Sequence, residues 1–190
     1  MDEPVYVGVD PSACSSGLAL VYGVNSREVC LVKPSKGCLG PTRLAYHRDA
    51  LVAFIAGRNV AGACIEGASH GSTSQGDKLG QVRGVYELAL RDLGCIALEV
   101  APNSVKLFGA GSGGASKARM LEAARKRWPE IDFKTDDLAD AAWLAEFARA
   151  LTADPESLRR CQIEAIRGVI LGRSSTKKYA RISGARILNV

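Results

Sequence analysis

Four carboxylates stand out by where they fall. Asp10 closes the apolar run Val5-Tyr6-Val7-Gly8-Val9, Glu66 closes Ala63-Cys64-Ile65, and Asp137 and Asp140 share the stretch Asp137-Leu138-Ala139-Asp140. The first two runs are too short for helices and read as buried strands, where an unpaired carboxylate costs several kcal/mol unless a cation compensates it. A spacing of three on a helix puts Asp137 and Asp140 on one face. Hard divalent ions such as magnesium take oxygen ligands in near-octahedral geometry and keep several waters, so acids converging from separate elements suit them. Two ions held this way activate a water and stabilise the leaving oxygen of an in-line phosphodiester displacement. Each acid alone also has a structural reading. An Asp after a strand serves turns, and Asp137 serves a helix amino terminus. Asp140 fits that account least, because Leu138, Ala139, Ala141, Ala142 and Leu144 surround it with apolar helix.

The elements that must position these acids follow from local pattern. Val5–Val9, Leu18–Tyr22 and Val29–Val32 are β-rich runs parted by turn residues, which predicts an antiparallel meander. Pro41 to Gly57 has helical spacing at Leu44, Leu51, Val52 and Ile55, opened by proline and closed by glycine. A strand over 61–66 precedes the polar loop 67–74, and Gln75 to Leu93 returns to helical spacing with Leu79, Val82, Tyr86, Ala89 and Leu93 inward. A further strand over 95–100, a short helix from Pro102 to Phe108, a glycine-rich stretch and a basic helix from Ser116 to Trp128 come next. Thr135 caps a helix running to about Leu151, and one more helix is predicted over 156–171. That order predicts an α/β domain with a mixed five-stranded sheet flanked by helices, as in the ribonuclease H-like architecture.

At 190 residues the chain is long enough to bury one core without disulfides. Its six cysteines lack paired metal-site spacing, and Cys64 and Cys95 read as small buried hydrophobes, while Cys30 and Cys38 flank a loop. The 47% hydrophobic content comes in short runs, none near the roughly 18 apolar residues of a membrane span, and no basic-then-apolar leader pattern is expected at its start. The expectation is a soluble, cytoplasmic protein without membrane contact. Residues 158–190 carry eight Lys or Arg against one acid, Glu164, which leaves 17 basic and 19 acidic residues in the other 157. A near-neutral body with a basic end suits contact with phosphate. The division expected is a domain over 1–153 and a basic extension over 154–190.

Taken in order, Val7-Gly8-Val9-Asp10-Pro11-Ser12 with Gly17-Leu18-Ala19, Ile65-Glu66, Leu79-Gly80-Gln81-Val82-Arg83-Gly84 and Asp137-Leu138-Ala139-Asp140-Ala141 resemble the RuvC family of Holliday junction resolvases, over roughly residues 4–148. The resemblance implies a homodimeric, metal-dependent endonuclease that nicks a four-way DNA junction symmetrically and leaves 5′-phosphate and 3′-hydroxyl ends. It implies Mg2+, with Mn2+ able to substitute, on Asp10, Glu66, Asp137 and Asp140. It also implies that Lys106 and Lys117 contact phosphate or offset developing charge, Lys117 with a catalytic part; each also reads as an ordinary solvated lysine. Arg119, on the same basic helix as Lys117, joins the expected DNA surface.

The family's best-known pattern carries an aromatic residue three positions after the glutamate. Here Ser69 stands there, followed by His70, and serine cannot supply the roughly 1–3 kcal/mol of base stacking. Gly76, Gly80 and Gly84 line one stripe of a helix, at about 1 kcal/mol each relative to alanine. Close approach of another backbone would offset that, either the sheet beneath or the matching helix of a second subunit. The alternatives are a nuclease of the same fold acting on flaps, forks or RNA/DNA hybrids, an actin-like or sugar-kinase phosphate-binding domain, and a silent DNA-binding module. The chain is too short for a second nucleotide-gripping lobe, and four acids without metal would repel phosphate.

Overall fold

The computed structural model describes residues 3–23, 26–68, 76–153 and 155–171. Its elements are β1 (Pro4–Asp10), β2 (Ser16–Tyr22), β3 (Ser26–Val32), α1 (Gly40–Ile55), β4 (Asn59–Glu66), α2 (Gly76–Asp92), β5 (Ala97–Val100), α3 (Pro102–Ala110), α4 (Lys117–Arg127), α5 (Asp136–Ala150) and α6 (Arg160–Ile170), with a 3₁₀ turn at Pro155–Ser157. The sheet order is β3-β2-β1-β4-β5. The first three strands form the antiparallel meander, and β4 and β5 add in parallel beside β1. This is the mixed five-stranded sheet that the alternation of patterns predicts.

Two apolar layers sandwich the sheet. Val5, Val7, Val9, Leu18 and Leu20 face Leu51 and Ile55 of α1 and Val82, Tyr86 and Leu90 of α2. On the other face Ala19, Val21, Cys64 and Val100 meet α5, around which Phe108, Trp128, Phe133 and Trp143 build an aromatic wing. α5 lies almost directly on the backbone of β1 and β2. A Cβ added at Gly8 would sit 2.0 Å from the Ala141 carbonyl oxygen, and one at Gly17 would sit 2.0 Å from that of Asp137. Glycine at these two positions, and alanine along α5, let the helix carrying Asp137 and Asp140 touch the strand carrying Asp10.

Three side-chain expectations change. Val52 and Leu93 are exposed, at 38% and 49%. α1 packs through His47, Leu51 and Ile55, and Val52 turns about 100° away from that line. Leu93 lies past the end of α2 at the turn closed by Gly94, whose φ is +82°, and Leu90 takes the core position. Cys95 is buried ahead of β5 rather than within it. The last helix starts at Arg160, later than its pattern suggests, and Ala165, Ile166 and Val169 bury it against the α3 side of the core.

Candidate active site

β1 and β4 run parallel with Val9 opposite Ile65, so one residue further along the same register Asp10 lies beside Glu66 at the carboxyl ends of both strands. That end of an open α/β sheet is where ligands commonly bind. Glu66 also stands opposite Val100, after which the chain enters α3 and reaches Lys106. From above, the Thr135 hydroxyl accepts from the Leu138 backbone N–H and starts α5, bringing Asp137 and Asp140 over Asp10.

The electrostatics show how closely the four acids gather. Burial, then repulsion from Glu66, Asp140 and Asp137, pushes the Asp10 carboxyl well above its ordinary range. Burial and Asp140 raise Glu66 to about 7, against the relief given by a hydrogen bond with Asp10 and by Lys106 and Lys117. Asp140 rises to about 6 through burial, then Asp136 and Asp137, again with both lysines opposing. Asp140 Oδ1 is buried without a hydrogen-bond partner. An unmet buried oxygen among mutually repelling carboxylates fits a divalent cation, which would satisfy the oxygen and offset the repulsion. Among the described residues no three acid, His or Cys side chains are already grouped tightly enough to hold an ion. The donor set therefore fits the ion in chemistry and place, with side-chain rotation required for ligation.

The other predicted residues divide into three groups. Lys117 opens α4, is 76% exposed, and pairs with Asp136 at the start of α5 while favouring ionised acids in the pocket. Asp136, in the first turn of α5, is thus the anchor of Lys117. Arg119 donates to the Ala110 carbonyl at 3.3 Å, and Arg125 to that of Phe133 at 2.9 Å, so part of the basic helix braces its neighbours. Ser69 and His70 lie outside the described residues.

Several residues at the site carry no sequence signal. Ser15 Oγ donates to Asp137 Oδ2 at 2.9 Å. Glu99 of β5 accepts from the Ala68 N–H at 3.3 Å and from Arg83 of α2 at 3.4 Å, which ties the chain leaving Glu66 to α2. A hydroxyl or carboxylate whose partner is distant in sequence leaves no periodic trace.

The chain is 33% identical over 144 residues to the crossover junction endodeoxyribonuclease RuvC of Paracoccus denitrificans, covering 73% of this chain and 87% of the relative. It is 36% identical over 162 residues to the protein of that name from Anaeromyxobacter dehalogenans, covering 80% and 84%. The structure resembles that of Thermus thermophilus RuvC in complex with a Holliday junction substrate, with a TM-score of 0.65 at 21% identity, covering 74% of this chain and 90% of that one. No family model matches the chain.

Proposed function

The chain belongs to the RuvC family of crossover junction endodeoxyribonucleases, and from that premise we propose that it resolves four-way DNA junctions by paired symmetric nicks, hydrolysing phosphodiesters with a divalent metal. One observation carries the chemistry: Asp10, Glu66, Asp137 and Asp140 meet from three elements, three of them held above their ordinary pKa, with Asp140 Oδ1 left without a donor. Mg2+ is the resident ion of this reading, and Mn2+ substitutes for it. Bound there, the ion supplies an activated water and stabilises the leaving oxygen. Lys106 and Lys117 offset pocket charge and meet the scissile phosphate, and Arg119 extends the basic edge. The residues after Glu66, Ser69 and His70 included, meet DNA near the crossover.

A homodimer through α2 accords with the surface. A Cβ added at Gly80 or Gly84 would meet nothing within 4 Å, so the sheet beneath is not what these glycines serve. Leu88 and Ile96 beside them are 60% and 71% exposed around a hollow of about 520 Å3. A second copy packed on this face would bury the apolar side chains and use the space the glycines leave.

The division at residue 153 takes a refined form in this reading. Arg159 donates to the carbonyls of Phe108 and Gly109 at the end of α3, so α6 packs along α3, and Asn103 and Leu171 both line the hollow between them. The extension is therefore structural through α6. Its phosphate-contacting part is 172–190, which lies outside the described residues.

The test is cleavage of an end-labelled mobile four-way junction beside flap, fork and RNA/DNA hybrid substrates. Symmetric nicks in two strands of like polarity are expected. Equal or faster cutting of flaps and forks would favour the broader branched-DNA nuclease, the reading that Ser69 in place of an aromatic residue supports.

A further inference from the structure

The turn joining β1 to β2, Pro11 to Ser15, supports the carboxylates from both sides. It leaves Asp10 directly, and its last residue, Ser15, donates to Asp137 Oδ2 at 2.9 Å. Ser12 and Ser16 close it reciprocally: the Ser12 N–H donates to Ser16 Oγ at 2.9 Å, and Ser16 Oγ donates to the Ser12 carbonyl at 2.9 Å. The Ser12 hydroxyl in turn accepts from the N–H groups of Cys14 and Ser15, both at 3.4 Å.

Behind this turn is a polar cluster buried where apolar groups would be expected. His47 of α1 is 0% exposed, and its Nδ1 lies 2.7 Å from Tyr86 Oη of α2 and 3.4 Å from Ser16 Oγ. Burial lowers the His47 pKa and so favours the neutral ring. Ser16 gives its own proton to the Ser12 carbonyl, and His47 Nδ1 meets both Tyr86 Oη and Ser16 Oγ. Nε2 is buried without a partner in hydrogen-bonding geometry. A core that needed only volume here would be better served by apolar side chains, since a buried polar atom left unpaired costs stability. What the cluster does provide is a chain of contacts from α2 through α1 to the turn, and from the turn to Asp137.

We propose that Tyr86, His47 and Ser16 are positioning residues that set the β1–β2 turn, and that Ser15, held by that turn, aims the Asp137 carboxylate into the metal site. The inference rests on the reading of the four acids as metal ligands. Partners that orient ligand carboxylates commonly change metal affinity ten- to a hundredfold when removed.

The experiment uses full-length protein carrying Tyr86→Phe, which keeps the ring and loses the hydroxyl, and separately Ser15→Ala and Ser15→Thr. Mn2+ alone is titrated calorimetrically into each, and melting temperature and junction binding are measured alongside. Tyr86→Phe and Ser15→Ala should weaken Mn2+ binding about tenfold with junction affinity unchanged, and Ser15→Thr should restore it. A lower melting temperature with unchanged Mn2+ affinity in both would overturn the proposal and leave the cluster a packing element. Ser15 is half-buried in the turn, outside both apolar layers, so Ser15→Ala decides the matter should Tyr86→Phe not fold. If the unaltered protein takes up no Mn2+, the metal-site reading fails first and this one with it.

Discussion

At the scale of single residues, the site is a set of carboxylates kept together against their own repulsion, and this has measurable consequences. Asp140→Asn removes a buried charge and a proposed metal ligand while keeping shape, so junction binding should persist and cutting should fall about a hundredfold or more. The same change should raise the melting temperature of the metal-free protein by about 2–4 °C or more, because the neutral amide removes repulsion. The pH dependence has a definite sign. Glu66 and Asp140 titrate at about 7 and about 6 in the folded chain, above their ordinary 4.5 and 3.8. The folded state then holds more protons than the unfolded one between about pH 4 and 7, so this contribution to stability is present at acid pH and lost as pH rises. Metal-free melting temperature should fall over that range, and saturating Mg2+ should flatten the fall; thermal melts with and without the ion check both. Of these residues, the four acids were legible from sequence because each ends an apolar run or shares a helix face. Ser15, His47 and Tyr86 were not, because their contacts join positions 31 to 122 residues apart.

At the scale of elements, periodicity and turn residues were enough to place every strand and helix that bears an acid, but not to show what presses them together. Gly8 and Gly17 read as small residues of a motif, whereas their use is to admit α5. Gly8→Ala would drive a methyl group into the α5 backbone, and loss of folding or of all cutting is expected, read by circular dichroism and junction cleavage. Glu146 is hidden in the apolar sequence of α5. It is 3% exposed and bonds Arg27 at 3.2 Å and Arg149 at 2.7 Å, while Arg27 stacks over Trp128. Burial alone would raise its pKa, yet the hydrogen bond and charge of Arg149, with the charges of Arg27 and Arg127, hold it below the ordinary value. Glu146→Gln should destabilise the protein by about 3–5 kcal/mol, the cost of leaving a buried charge unpaired, in urea melts. Where folding survives, cutting per folded molecule should be unchanged.

At the scale of the whole molecule, the carboxylates, Lys106 at α3 and Lys117 at α4 gather at the carboxyl end of the central strands, and α6 packs back on α3. Among the described residues no helix is long and apolar enough to cross a membrane. Five basic residues and no acid follow in 172–190. Deleting that segment leaves α6 in place and should weaken junction binding and flatten its salt dependence, by about 0.9 in log–log slope for each phosphate no longer neutralised. An unchanged slope would remove the segment from the interface. Cutting at 158 instead would strip α6 from α3 and confound folding with binding. The mixed sheet was expected from the order of elements, but the return of α6 along α3 was not, since helix pairing leaves no mark in either helix alone.

The most direct measurement is anomalous diffraction from crystals grown with Mn2+. One or two peaks among the carboxylate oxygens of Asp10, Glu66, Asp137 and Asp140 are predicted, absent in Asp140→Asn or reduced there. Manganese bound only elsewhere, in crystals of protein that cuts junctions in the same solution, would contradict the account.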